Sequence, residues 1–215
     1  RVMIIITYPL VWLSELLTRC LSPKVRTLNV SRDEVAAMVN VGTDEGVIDK
    51  TENNIIQNFL KLSNVCAREI MTPFVVVESV SADTSMRQFH DDERLSCFSR
   101  IPVYDTEKEF ITGYVRRLDV LEMLTRDEDS MTVEDLVRPV LYFNETTAVS
   151  DIWQSLLERK EHISVVRDEY GCMRGIVTME DVIETMLGVE IVDECDKVED
   201  MQVMARMRYP IPEIV

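Results

Sequence analysis

Glycine is scarce in this chain, with six in 215 residues. A Gly-rich phosphate loop gathers several into one short stretch, and no such loop is found. Histidine is rarer still: only His90 and His162, both remote from the cysteines. The five cysteines, Cys20, Cys66, Cys97, Cys172 and Cys195, are odd in number and scattered, with no Cys-x-x-Cys pair. That pattern argues against a zinc site or a disulfide framework, and fits a reducing compartment. Basic charge is short as well. Lys and Arg number 23 against 39 Asp and Glu, a formal net charge of −16. Nucleic acid needs a basic face for its phosphates, so it is disfavoured as a partner, and anionic lipid likewise. Excess acid suits solubility, and is compatible with divalent cations near the surface. No nucleophile–base pairing and no metal-ligand cluster stands out, so an enzyme is not expected.

Long apolar runs are also missing. The uncharged opening, Val2 to Leu13, is twelve residues, and a bilayer span needs about 20. No small-residue cleavage site follows it, so it makes a poor signal peptide. Leu13 to Leu21 then has apolar residues at helical spacing behind Trp12. This suits a helix at a membrane interface, or an amphipathic helix capping a soluble domain.

What the chain does have is a repeat. Gly175-Ile176-Val177-Thr178-Met179-Glu180-Asp181 has a weaker copy 62 residues upstream, Gly113-Tyr114-Val115-Arg116-Arg117-Leu118-Asp119. At the same offset, Arg100-Ile101-Pro102-Val103-Tyr104 parallels His162-Ile163-Ser164-Val165-Val166, both reading as short buried strands. At an offset of 66, Arg68 to Pro73 parallels Glu134 to Pro139, so one four-residue length change is expected between Pro73 and Gly113. Each unit reads as short helix, Pro, strand, helix, strand, turn, strand, helix, and matching order at a near-constant period marks an internal repeat. Units of about 60 residues bury little surface alone, so two should pack face to face. The repeats run over residues 65–126 and 131–188, joined by the polar stretch Arg126 to Ser130.

Ahead of them, residues 25–64 read as connector helices. Ser31 with Glu34 looks like a capping box, and Val35, Met38 and Val39 give one apolar face. Gly42 to Gly46 reads as a turn. Thr51 to Ser63 repeats the scheme, with Ile55, Ile56, Phe59, Leu60 and Leu62 as its buried stripe. Residues 189–215 read as an acidic tail with a helix over Met201 to Arg208. Asp168-Glu169-Tyr170-Gly171 reads as a hairpin turn with Gly171 at positive φ.

The candidate site follows from the second motif. A helix N-terminus offers unpaired amides and favours negative charge. Thr178 sits where strand becomes helix, and Asp181, one turn in, can accept from two ribose hydroxyls. Gly175 fits a crowded strand start. Thr178 to Asp181 is equally a capping-box pattern. In the first copy Arg116 replaces the Thr, where a long cation could block the pocket or reach phosphate. Ser99 and Arg100 make a phosphate clamp, since guanidinium donates in a planar fork; a surface ion pair is the other reading of Arg100. Ile101, Pro102, Val165 and Val177 could form an apolar slot for a base, or be plain core. Asp91-Asp92-Glu93 could feel a bound cation, or be a solvated helix face. His90 and His162 read as structural.

Taken as a set, Ile70 to Pro73, Ser99 to Tyr104, Asp168 to Gly171 and Gly175 to Glu184 resemble the CBS-domain pair, or Bateman module, of the CorC/CNNM magnesium-transport family, whose bacterial members are often labelled hemolysin-like. The resemblance covers roughly residues 1 to 200. It implies an α+β fold of tandem CBS domains, two β-α-β-β-α units packed face to face, preceded by connector helices and a partial hydrophobic N-terminal helix. By the same resemblance, residues 1–24 are the end of a truncated membrane domain, and a further small domain after the pair is missing. The implied function is a regulatory module binding an adenine nucleotide, ATP with Mg²⁺ bridging its phosphates, at the second motif only. Thr178 and Asp181 would hold the ribose, and Thr72 would meet base or ribose from the first repeat. The implied setting is a homodimer, membrane-attached through the N-terminal segment, with the module in the cytoplasm. A ligand-free CBS pair serving as a dimerisation module is the alternative. Nothing in the chain looks able to form a pore.

Overall fold

The computed structural model describes Trp12, Ser14 and residues 31–126, 131–191 and 201–208. Most of the opening segment and of the join between the repeats therefore lies outside the described residues. The chain divides into two compact units, Arg1–Ile48 and Asp49–Val215.

In the first unit, helix α1 (Arg32–Asp44) starts at the expected box. Glu34 N donates to Ser31 Oγ at 3.1 Å, and Ser31 N donates to Glu34 Oε2 at 3.2 Å. The helix does not stop at Gly42, where the sequence suggests a turn. It runs to Asp44, and the reversal comes at Gly46, with φ of 76°. The chain then folds back: Gly42 O accepts from Val47 N and Ile48 N, and the Ile48 side chain lies 3.1 Å from where a Cβ on Gly42 would stand. No residue of α1 is buried; Met38 is 70% exposed.

The second unit opens with α2 (Lys50–Lys61), capped by Asp49, with Glu52 closing the box. Of its expected stripe, Leu62 is buried while Ile55, Ile56 and Leu60 are half-buried. Phe59 stays 44% exposed, because it meets Trp153 edge-on, at 5.8 Å between centroids, rather than entering the core.

The repeats follow. The first contains α3 (Ala67–Ile70), β1 (Thr72–Pro73), β2 (Val80–Ser81), α4 (Met86–Asp91), β3 (Arg100–Tyr104), β4 (Ile111–Arg116) and α5 (Arg117–Leu124). The second contains a 3-10 turn (Val133–Leu136), β5 (Leu141–Asn144), α6 (Val149–Arg159), β6 (Ile163–Arg167), β7 (Met173–Thr178) and α7 (Met179–Leu187). Helix α8 (Met201–Arg208) comes last.

Two sheets form, one in the order β2-β3-β4 and one in the order β1-β7-β6-β5. Strand β1 of the first repeat thus completes the sheet of the second, with Thr72 opposite Ile176. The exchange is reciprocal, since Arg138 bridges Tyr114 in the first repeat's sheet. The helix starts are traded too: Ala67 N donates to Thr147 O, and Val133 N to Thr84 O, both at 2.9 Å. Each sheet packs an apolar cluster against its helices, and each cluster includes a residue from the other repeat, Val133 in the first and Ala67 in the second. A third cluster joins Ile111 and Tyr114 of β4 to Ile163, Val165 and Met173 of β6 and β7. That is the face-to-face packing expected of two small units.

The strand correspondence needs one correction. Arg117 N donates to Ser99 O, and Met179 N donates to His162 O. Ser99 therefore matches His162, and Arg100 matches Ile163, one residue later than sequence spacing suggests. The register agrees, with Arg100 opposite Arg116 and Ile163 opposite Thr178. The four extra residues of the first repeat are not one insertion. Three fall between Pro73 and Val80, and one in the β3–β4 hairpin. A one-residue slip in a strand swaps its faces, so residues pair across the repeats differently from the simple alignment.

Candidate functional site

Strand β7 ends at Thr178, which caps α7. Asp181 N donates to Thr178 Oγ1 at 3.3 Å. Thr178 N and Thr178 Oγ1 donate to Asp181 Oδ2 at 2.6 and 2.8 Å. The capping box is therefore real. It does not use up the carboxyl, because Asp181 Oδ1 receives no hydrogen bond from the described residues. Burial pushes the Asp181 carboxyl up to about 7, and Glu184 and Glu180 add to the rise, against the opposing pull of the Thr178 bonds. No cation sits beside it among the described residues. Asp181 is half-buried, and a carboxyl with a free oxygen and no counter-charge is a good acceptor for ligand hydroxyls.

Thr72 reaches this place by the strand exchange. It is half-buried opposite Ile176, and its carbonyl lies against Gly175. Thr72, Thr178 and Asp181 thus gather where β1, β7 and α7 meet. Val177 is fully buried in the second repeat's core. Strand alternation puts Ile176, not Val177, on the face shared with Thr178; Ile176 packs in the cluster between the repeats. The period-2 rule applied backwards from Thr178 is the signal that finds it.

Ser99, Arg100, Ile101 and Pro102 lie in the other sheet. Ser99 is exposed, Arg100 half-buried, and Ile101 and Pro102 buried. Ile101 belongs to the first repeat's core, while Val165 belongs to the cluster between the repeats. The Arg100 side chain has no hydrogen bond or ion pair among the described residues. No hydrogen bond or ion pair joins Ser99 or Arg100 to Thr178 or Asp181.

The first motif is built differently. Asp119, 8% exposed, is held by two arginines. Arg116 binds it with both Nε (2.9 Å to Oδ2) and an amino nitrogen, and Arg138 Nε adds a third bond to Oδ2 at 3.0 Å. The Arg116 guanidinium, with help from Arg138, holds this carboxyl below the usual carboxylate range. Of the two roles open to Arg116, the geometry shows it turned inward on Asp119. Sequence reading missed Arg138 as a partner. The signal was present, because Arg138 precedes Pro139 as Thr72 precedes Pro73.

Elsewhere, Asp92 of the acidic run is bidentate with Arg94, at 3.0 and 2.7 Å. Among the described residues no group of His, Cys, Asp and Glu could hold a metal ion. His90 and His162 are exposed. Asp168 Oδ1 accepts from Tyr170 N and Cys172 N at 3.0 Å each, and Gly171 takes φ of 87°, as the hairpin turn requires. No helix of the described residues is long and apolar enough to cross a membrane.

The family model for the CBS domain matches this chain twice, over residues 67–126 and 133–188. A UPF0053 protein of Synechocystis is 32% identical over 97% of this chain and 60% of its own length. The magnesium and cobalt efflux protein CorC of Escherichia coli is 25% identical over 83% of this chain and 61% of its own. The chain thus spans about three-fifths of these relatives. Among solved structures, the CBS domain of the bacterial CNNM/CorC family Mg²⁺ transporter is 31% identical, with a TM-score of 0.72, over 76% of this chain and 99% of that one. Its complex with ATP is 30% identical, with a TM-score of 0.61, over 64% of this chain and 98% of that one.

Proposed function

This chain belongs to the CBS-domain proteins of the CNNM/CorC family, and from that premise we propose that it is the regulatory, ATP-binding module of a membrane protein of magnesium transport. The observation that carries the reading is Asp181, half-buried, with one carboxylate oxygen unbonded and no counter-charge beside it, close to the exchanged strand. The unpaired guanidinium of Arg100 fits the same ligand, since a nucleotide brings both hydroxyls and phosphates.

In this reading Asp181 accepts from the ribose hydroxyls, and Thr178 and Thr72 line the ribose and base. Ser99 and Arg100 take the phosphates, with Pro102 and Ile176 as the apolar walls, while Ile101 and Val177 back them from the two cores. Mg²⁺ is held by the phosphates and offsets their repulsion from an acidic protein. Support comes from the related CBS domain solved with ATP. Binding favours one geometry of a CBS homodimer, and so shifts its population. Residues 1–24 attach the module to the membrane domain and residues 25–64 relay the change, ahead of repeats at 65–126 and 131–188 and a tail at 189–215. The module works on the cytoplasmic side, with no catalysis and no nucleic acid. Ion movement belongs to residues outside this chain.

Calorimetric titration of the 215-residue chain with ATP, with and without Mg²⁺, tests this. The expected result is saturable binding, tightened by Mg²⁺. A folded, dimeric chain that takes no ATP at millimolar concentration contradicts it, and leaves a dimerisation module.

A further inference from the structure

Helix α8 is the last described element, yet it lies against the start of the first repeat. It packs on β1 and on the turn that follows, Phe74–Val76. Its sides are unequal: Ala205 is buried, Met201, Gln202 and Met204 are half-buried, and Val203 and Met207 are exposed. Gln202 and Ala205 stand three residues apart and so share one side of the helix. From that side the Gln202 amide nitrogen donates to Glu69 O at 2.7 Å and to Met71 O at 3.3 Å. No described side chain of α8 belongs to any of the three apolar clusters. The helix can therefore be altered without opening the core.

Both carbonyls lie on the stretch that leads into Thr72. Helix α3 has four residues, and the carbonyls of its last turn find no partner within it. Gln202 supplies one to Glu69. The Met71 carbonyl shares a planar peptide unit with Thr72 N, so a bond to that oxygen fixes how the chain enters Thr72. Beyond it, the Thr72 carbonyl lies against Gly175. The residue that β1 carries to the candidate site is thus gripped by α8 before it and by β7 after it.

We infer that Gln202 is a positioning residue of the nucleotide site, holding Thr72 in place for the ligand, so that affinity depends on the docking of α8. This rests on the reading of the Thr72, Thr178 and Asp181 site given above. Without the Gln202 bonds the peptide before Thr72 is free to turn, and part of the ligand's binding energy goes into ordering it.

The test is ATP titration, with Mg²⁺, of the 215-residue chain and its Gln202→Ala variant, each with and without Thr72→Ala. Gln202→Ala should weaken binding about fivefold, the worth of one ordinary hydrogen bond. Thr72→Ala should cost less affinity in the Gln202→Ala background than in the parent, because the two residues act through one contact. Arg100→Ala, in the other sheet, should cost the same in both backgrounds. Unchanged affinity in Gln202→Ala overturns the inference and leaves the function standing, and so does a Thr72→Ala loss of equal size in both backgrounds. If Gln202→Ala does not fold, Gln202→Met keeps the bulk, removes the donor and is read the same way. If the parent takes no ATP, the function above falls, and amide hydrogen exchange over residues 70–76 decides the hold of α8 on the strand. Faster exchange in Gln202→Ala upholds that hold, and unchanged exchange overturns it.

Discussion

Gly175 lies against the carbonyl oxygen of Thr72, with the Met71 sulfur 3.1 Å from where its Cβ would be. The glycine of the motif is therefore a docking surface for a strand from the other repeat. The motif's glycine and the segment before Pro73 are one joint, although about a hundred residues separate them in sequence.

Gly175→Ala should destabilise the protein by about 2 kcal/mol, since overpacking costs about 1–3 kcal/mol. Loss of a glycine's chain entropy gives back only about 0.4–1 kcal/mol. The obstacle is backbone, so it cannot rotate away. Urea unfolding checks this, and a variant as stable as the parent contradicts it.

Asp119→Asn should cost about 1 kcal/mol, because both arginines are partly exposed and such pairs are weak. The folded carboxyl titrates below its unfolded value. Its contribution is therefore present above the unfolded value and lost as pH falls through the folded one. Parent and variant should converge in stability under acid; a gap that widens in acid contradicts the assignment.

Asp181 has the opposite sign. Its folded value is about 7, above the unfolded 3.8. The native state holds the extra proton between those values, so stability falls as pH rises through that window. Asp181→Asn should flatten this dependence. Nucleotide binding needs the ionised form, and should weaken about tenfold from about pH 8 to about pH 6 through this group. ATP titrations at both pH values, with Asp181→Asn as the reference, measure it; equal pH dependence in parent and variant contradicts the assignment.

Tyr114→Phe removes a bond between the repeats, from the Tyr114 hydroxyl to Glu161 Oε2 at 2.7 Å. The expected loss is about 1 kcal/mol. Thermal unfolding reads it, and an unchanged midpoint contradicts it.

The fold was legible because the repeat was. The Gly-to-Asp motif, the strand patterns and the caps at Ser31 and Thr178 are local signals, and local chemistry decided them. The exchange of Thr72 and Arg138 leaves no periodicity, since it pairs distant segments; its trace in the sequence is the matching position of both residues before Pro73 and Pro139. The strand slip that matches Arg100 to Ile163 was hidden by a loop one residue longer. In the candidate site, the types of Thr178 and Asp181 could be read, but their environment could not. That Asp119 has two counter-charges while Asp181 has none depends in part on Arg138, which arrives from the other repeat. Phe59 looked like core from its spacing, and only its edge contact with Trp153 explains its exposure.

The most direct test of the whole account is the thermal stabilisation given by ATP with Mg²⁺ to three forms of the 215-residue chain: the parent, Asp181→Ala and Asp119→Ala. Each is compared with its own unliganded midpoint. A ligand that binds only the native state raises the midpoint. The account predicts a shift in the parent, the same shift in Asp119→Ala, and none in Asp181→Ala. A shift that survives in Asp181→Ala, or that vanishes in a folded Asp119→Ala, would place the nucleotide elsewhere.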